Sequence, residues 1–497
     1  METLQLLLNG FATALQPMNL LFALIGCLLG TLVGVLPGIG PSAATAILIP
    51  VTFVLEPTPA IIMLAAIYYG AMYGGTITSV LINVPGEAAS AVTCLDGYQM
   101  ARNGRAGAAL TIAAIGSFIG GNAAVAALVV VALPLSTLAL RFGPPEFFAL
   151  MLIGLTMVTG LAGRSIVRAL MAAIVGLLIA MIGIDPVQGA PRFTFGLTTL
   201  LGGLDIVPVV MGLFGISEIL LNVESPARQV FETKMSSLVP TREDVRRSIG
   251  SVLRGTGIGL FLGLVPGIGT MVPTFISYTV EKRVSKTPEK FGTGMIEGVA
   301  GPETANNAYA NGAMIPLFTL GIPASPTLAI LMGALMMNGL LPGPLLFQEH
   351  SDFVWAVIAS FVVGNVILLI LNLPLIPMWV AVLKIPYSIL FALILGFAVV
   401  GAYSVDSSVF GVGVMLAFGL LGYVFKKLDI PLAPFALTLI LGPMMEKALR
   451  QSLEMSGGEL SVFYTRPLTA TLLAIAAIVL VVNTAPVFSR VKADTQV

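Results

Sequence analysis

Glu303, Asn307 and Asn311 recur at every fourth position, a spacing that puts all three on one face of a helix. Asn306 stands beside them. Carboxamide and backbone oxygens can ligate sodium, and carboxamide NH2 groups can donate to a carboxylate ligand. An ionisable residue inside a membrane is a functional hypothesis by default, here as a seat for a proton or a cation. Glu303, Asn306 and Asn307 are thus the candidate sodium or proton coupling residues, and Asn311 is a candidate substrate contact. The plainer alternative for this stripe is a hydrogen-bond network between helices, or a wet helix end.

Backbone breaks form a second set of candidates. Proline lacks an amide hydrogen and glycine carries high backbone entropy, so both interrupt helices. One pair of breaks is Gly34-Val35-Leu36-Pro37-Gly38-Ile39-Gly40 and Gly263-Leu264-Val265-Pro266-Gly267-Ile268-Gly269. Ser42 and Thr45 follow the first, Thr270 and Thr274 the second. The other pair is Asn83-Val84-Pro85-Gly86-Glu87 and Gly321-Ile322-Pro323-Ala324-Ser325. A break inside hydrocarbon survives only against protein or a water-lined cavity. Free amides at a half-helix N-terminus then form a seat for an anion. The candidate substrate-binding residues are therefore Pro37, Gly38, Gly40, Ser42, Asn83, Pro85, Gly86, Pro266, Gly267, Gly269, Thr270, Asn311, Gly321, Pro323 and Ser325. The alternative is that these residues kink ordinary spans for packing. Glu87 reads equally as a cation or proton ligand and as an interfacial carboxylate.

The elements that must position these residues are membrane helices. Hydrophobic residues make up 57% of the 497 positions and charged residues 10%, with mean hydropathy +1.00. That is too little charge to wet the surface of a soluble domain, where about a quarter of residues are charged. Ala106–Leu140 contains no charged residue at all. The fold class expected is all-α and polytopic, with about twelve transmembrane crossings plus re-entrant or broken helices. Three ordered matches, including Pro37 with Pro266 and Glu218 with Glu446, indicate two internal repeats. Opposite charge bias in corresponding connections suggests inverted topology. The divisions are a first repeat at 1–221, a cytoplasmic linker loop at 222–249, a second repeat at 250–450, and 451–497 as loop, terminal span and tail.

Two basic clusters, Arg228, Lys234, Arg242, Arg246 and Arg247 within Asn222–Ile249 and then Lys282 to Lys290, are expected on the cytoplasmic side, joined by two short spans or, as the glycine-rich break favours, by a re-entrant hairpin with its tip at Pro266-Gly267. The start, Met1-Glu2-Thr3-Leu4-Gln5, lacks a basic region and an Ala-x-Ala site, so the first helix is expected to be retained. Cys27 and Cys94 fit no metal spacing and read as packing residues, and His350 reads as a loop residue. Zero net charge without a basic patch argues against nucleic acid as a partner. A single histidine excludes histidine clusters, no nucleotide loop is present, and no cofactor is implied.

At these motifs the chain resembles the large membrane subunit of the tripartite tricarboxylate transporters of bacteria. The likeness rests on Gly34–Pro41, Gly263–Gly269, Tyr69–Glu87, Asp96–Gly107, Glu297–Asn307 and Gly321–Pro326, and it covers essentially the whole chain. The resemblance implies a secondary uptake system of the bacterial inner membrane, driven by a sodium or proton gradient. It implies three partners: a periplasmic solute-binding protein, a small membrane subunit of about four helices, and an organic-acid substrate, tri- or dicarboxylate. Whether the chain pairs as a homodimer is left open. In one respect the sequence departs from what a tricarboxylate clamp needs, since no Arg or Lys lies in Pro37–Glu87 or Phe291–Pro326. Anion binding would fall to amide ends, hydroxyls and carboxamides. The competing reading is an anion channel, or a permease that needs no binding protein.

Overall fold

The computed structural model describes residues 2–36, 40–139, 142–157, 165–185, 189–224, 239–265, 268–382 and 387–494. Its helices in the first half are α1 (Glu2–Ala14), α2 (Pro17–Val35), α3 (Pro41–Leu48), α4 (Pro57–Ile82), α5 (Thr93–Arg102), α6 (Ala106–Ala139), α7 (Pro144–Met157) and α8 (Ile166–Ala180). A two-stranded antiparallel ribbon follows, β1 (Gly183–Ile184) with β2 (Pro191–Arg192), a small exception to the all-α expectation. Then come α9 (Ile206–Val210), a π-helical turn at Met211–Ile216, and α10 (Ser217–Glu224).

The second half begins with α11 (Arg242–Gly263), α12 (Met271–Val284), α13 (Glu297–Gly312), α14 (Met314–Leu320), α15 (Pro326–Met337), α16 (Pro344–Glu349) and α17 (Ser351–Asn372). It continues with α18 (Ile376–Val382), α19 (Tyr387–Asp406), α20 (Val409–Lys427), α21 (Leu432–Met455), α22 (Val462–Thr465) and α23 (Pro467–Asp494). Proline opens α2, α3, α4 and α15, where its missing N–H would have found no helical partner anyway.

Among the described residues, six helices are long and apolar enough to cross a membrane: α2, α4, α6, α17, α20 and α21. The chain is an all-α, multi-pass membrane protein. α4 is the innermost of these, because its apolar window is buried on every side, whereas α20 buries a third of its window.

Two helix pairs approach closely, and glycines permit it. Side chains added at Gly26, Gly30 and Gly34 of α2 would run into the carbonyl oxygens of Met63, Ile67 and Ala71 on α4. Those added at Gly255, Gly259 and Gly263 of α11 would meet the carbonyls of Gly301, Ala305 and Tyr309 on α13. Small residues at every fourth position let two backbones meet in this way. Each glycine of the second set lies 229 positions after its counterpart, and each carbonyl 238 positions after. Packing also crosses between halves. α6 lies along α13 and α17 along α4, while α8 lies against α21 and α20 against the π-helical turn.

α11 and α12 fold back on each other. The buried Glu281 carboxylate accepts from Ser251 and Arg254, each at 2.6 Å, and so brings the two basic ends side by side. Arg105 is paired with Asp244 and Lys426 with Glu218. From Leu432 to Arg450, α21 runs roughly 27 Å to the opposite end, where Arg192 and Arg450 bind Glu446 at 2.8 and 2.7 Å. Arg450 also binds the buried Asp185.

Candidate functional site

The breaks at 83–87 and 321–325 share a backbone design. α4 ends on Asn83 and α14 on Gly321, both in the left-handed region, at φ 55° and 69°. Glycine adopts that conformation without strain and asparagine tolerates it. The next helical turns are capped by side chains. Glu87 accepts from the Ala89 amide at 2.8 Å, and Ser325 caps α15 by accepting from Leu328 at 3.3 Å. Glu87 and Ser325 are both buried. Their amide ends are therefore occupied by the protein's own groups, and in the first break the occupant is itself a carboxylate. Gly86 is required for closeness, since a side chain there would strike the Gly34 carbonyl and the Thr78 hydroxyl. Pro85 and Pro323 lie within these two turns.

The breaks at 34–40 and 263–269 differ. Pro37, Gly38, Pro266 and Gly267 lie outside the described residues. α3 starts after Gly40 and α12 after Thr270, and no side chain caps either. Gly40, Ser42, Gly269 and Thr270 are half-buried. The first start reaches the N-terminal end of α15 directly, and the second through Tyr309 of α13. The Ser42 and Thr327 hydroxyls are hydrogen-bonded at 2.8 Å. The Tyr309 hydroxyl donates to the Ala324 carbonyl at 3.0 Å, and the Gly269 backbone approaches the same hydroxyl.

The polar stripe falls on α13, as its spacing predicts, but its members point to different partners. Glu303 is 1% exposed and accepts from Thr76 of α4 at 2.6 Å and from Thr93, the first residue of α5. Asn306 donates to Glu87 at 3.0 Å. Asn307 turns the other way, to Ser117 of α6 at 2.7 Å. Asn311 donates to the Asn307 carbonyl at 3.1 Å, one turn back. So Glu303 and Asn306 join the first half through Thr76, Thr93 and Glu87, while Asn307 and Asn311 face α6. One turn further along α5, the buried Asp96 accepts from the amides of Gly292, Gly294 and Met295 at 2.8–2.9 Å and from Tyr278. That clamp fixes the loop entering α13. The carboxylates of Glu303 and Glu87 and the three carboxamides of Asn306, Asn307 and Asn311 thus sit without any lysine or arginine among their partners, an arrangement that can hold a proton or a cation but is poorly suited to gripping an anion.

A profile of the family described as "Tripartite tricarboxylate transporter TctA family" matches residues 20–437. The chain belongs to the TctA family. Membership makes it a membrane transport protein of the tricarboxylate transport family, not an enzyme, and a multi-pass protein of the bacterial inner membrane. Two proteins of Agrobacterium vitis are similar. An uncharacterized 52.8 kDa protein in the TAR-I ttuC' 3' region is 47% identical over 487 residues, 98% of this chain and 97% of that protein. An uncharacterized protein in the TAR-II ttuC' 3' region is 45% identical over 228 residues, 46% of this chain and 94% of that protein. No solved structure matches the chain.

Within this TctA protein, several residues of the polar centre were not among the sequence candidates. Thr93, Ser117 and Asn365 are the clearest, all buried. Asn365 did carry a signal, as a lone carboxamide in the middle of the apolar α17. Ser117 stands in the charge-free run that forms α6. Thr93 had none, because its role depends on α5 being turned toward α13.

Proposed function

We propose that the chain is the translocating subunit of an ion-coupled uptake system for an organic acid, tri- or dicarboxylate. In this reading a periplasmic solute-binding protein delivers the substrate and a small four-helix membrane subunit completes the complex. The observation that carries the substrate seat is the contrast between the two pairs of breaks. The starts of α3 and α12 are uncapped and half-buried and approach the N-terminal end of α15, the first through Ser42 and the second through Tyr309, whereas the breaks at 83–87 and 321–325 are closed by the buried caps Glu87 and Ser325. A substrate carboxylate would take the free amides after Gly40 and Gly269, helped by Ser42, Thr270 and Thr327. Glu303, with Asn306 and Glu87, would take the charge of the coupling ion, sodium or proton.

The chain would cross the membrane about twelve times as two inverted repeats, residues 1–221 and 250–450, joined by the linker at 222–249. The matched glycine-to-carbonyl contacts of α2 with α4 and α11 with α13 support a duplication. The exchange of α6 and α17 across halves gives two bodies that could shift relative to each other, as alternating access requires.

The test is uptake into proteoliposomes holding this subunit and its small partner, with the binding protein outside and a sodium or proton gradient imposed. Accumulation of one labelled organic acid, lost in Glu303→Gln and weakened in Ser42→Ala, is the expected result. Conductance without accumulation would replace the carrier by a channel.

A further inference from the structure

We propose that Asn307, Asn311 and Asn365 form a binding site for a single dehydrated monovalent cation, sodium, where α6, α13 and α17 meet. Asn307 and Asn311 each donate their NH2 group to the backbone carbonyl one turn back, at 3.2 and 3.1 Å. A carbonyl can only accept, so these bonds fix which way round each carboxamide stands. The atom left over on both is therefore the oxygen. Both oxygens are buried and have no hydrogen-bond partner. Asn365 is fully buried in the middle of α17, and neither its oxygen nor its nitrogen has a partner.

Two of these side chains, Asn311 and Asn365, share one space. A Cβ at Gly121 of α6 would lie 2.9 Å from the Asn365 oxygen and 3.1 Å from the amide nitrogens of Asn365 and Asn311. Glycine at this position leaves the notch that the two carboxamides enter. Buried polar atoms in native structures are almost always satisfied, so three unpartnered carboxamide oxygens on adjoining helices call for a partner. Such oxygens are satisfied by a hydrogen-bond donor or by a cation. No Lys or Arg lies in α6, α13 or α17.

The oxygens are hard donors, the kind that suits alkali and alkaline-earth ions. No carboxylate is among them. A neutral cage compensates one buried charge far better than two, which selects a monovalent ion over calcium or magnesium. Beside the site, α4, α6 and the end of α17 leave a cavity of about 10 Å³, lined by Tyr73, Thr76, Ser117 and Asn372. That is room for about one water-sized particle, and Ser117 connects it directly to Asn307. A small ion shedding its last water would have a polar step there on its way in.

This inference deepens the carrier reading by naming its coupling ion and rests on that reading for its purpose, but binding can be measured without transport. The full chain, purified in detergent, would be titrated with radioactive sodium at constant ionic strength held with choline. Saturable binding, displaced poorly by potassium, is expected. Asn365→Leu should weaken it by roughly tenfold or more, and Asn365→Asp should tighten it and admit calcium, because ligand charge count tunes affinity. The Asp variant keeps the shape of the side chain, so it remains informative if the Leu variant fails to fold. No saturable sodium binding in the unaltered protein, or binding unchanged in both variants, would overturn the proposal and leave the notch to water. Sodium binding that follows Asn365 in a protein that accumulates no organic acid would uphold the site and sink the carrier reading.

Discussion

α4 and α13 meet their glycine-striped neighbours through the same contacts, yet they carry different chemistry. Aligned by those contacts, Tyr68, Tyr69 and Tyr73 of α4 stand where α13 has Asn306, Asn307 and Asn311. Ala65 stands where α13 has Glu303, and Glu87 where the second half has Ser325. One helix fills its surroundings with aromatic bulk. The other lines them with carboxamides and a carboxylate. Close backbone packing is what the two share, so it sets the scaffold, while the side chains one step around each helix set the chemistry. The polar centre is consequently asymmetric: α13 supplies Glu303 and Asn306, and the first half answers with Thr76, Thr93 and Glu87.

The sharpest way to break this comparison is to make the halves alike. Glu87→Ser gives the first break the cap of the second, and uptake should fall by roughly a hundredfold, about 2.7 kcal/mol on the transport barrier. Adding Ser325→Glu in the same chain should not restore it, because Asn306 reaches Glu87 with a carboxamide, whereas its counterpart facing position 325 is the phenol of Tyr68. Recovery of uptake in the double variant would mean the two breaks are interchangeable and the asymmetry is decorative.

The shared scaffold makes the opposite prediction. Gly30→Leu and Gly259→Leu should destabilise the purified protein to a similar degree, about 1–3 kcal/mol for a strained contact and more if the helices must part. Their Cβ atoms would meet the carbonyls of Ile67 and Ala305 in the same way. Thermal melts of the two variants are the measurement, and a large effect in one with none in the other would show that only one pair is tightly packed.

Much of this was open to reading in the sequence, and the reasons differ by residue. Helical spans, the breaks at Asn83 and Gly321, and the stripe on α13 follow from apolar runs, from residue types that permit positive φ, and from a spacing of four. The glycine stripes were equally visible, at 26, 30, 34 and again at 255, 259, 263. What could not be read was direction. Glu303 and Asn307 share a face by spacing, yet one meets α4 and α5 while the other meets α6. The azimuth of a helix among its neighbours is a tertiary fact. Likewise the caps by Glu87 and Ser325 depend on the turn geometry after each break, which composition alone leaves free.

A smaller effect is expected where the substrate seat is proposed. Ser42→Ala removes one hydrogen bond to Thr327, a loss of about 0.5–1.5 kcal/mol, and should raise the half-saturating substrate concentration by roughly three- to tenfold. Ser90→Ala, at the capped break, should leave that concentration unchanged. Its hydroxyl donates to the Glu87 carbonyl inside a closed turn, where a substrate has no access. If Ser90→Ala raises it instead, the seat belongs at the capped breaks.

The smallest effect concerns how α6 and α17, which occupy exchanged places, are held at their starts. α6 is tied to α11 by Arg105 and Asp244, whereas α17 begins at Ser351-Asp352 and has α1 alongside. Burial pushes the Asp244 carboxyl up, but hydrogen bonds from Arg105 and Thr241 outweigh it and hold the group below the ordinary aspartate range. A carboxyl with a folded pKa below its unfolded one stabilises the protein above the unfolded value, and that contribution is lost as pH falls through the folded value. Arg105 is 42% exposed, so the pair contributes little, on the order of 0–1 kcal/mol. Arg105→Gln should accordingly lower the melting temperature by a few degrees at neutral pH and by less once Asp244 is protonated in acid. Salt should narrow the gap between variant and parent for the same reason. A gap that widens on acidification would mean that Arg105 acts through packing of its stem on α11 and not through its charge.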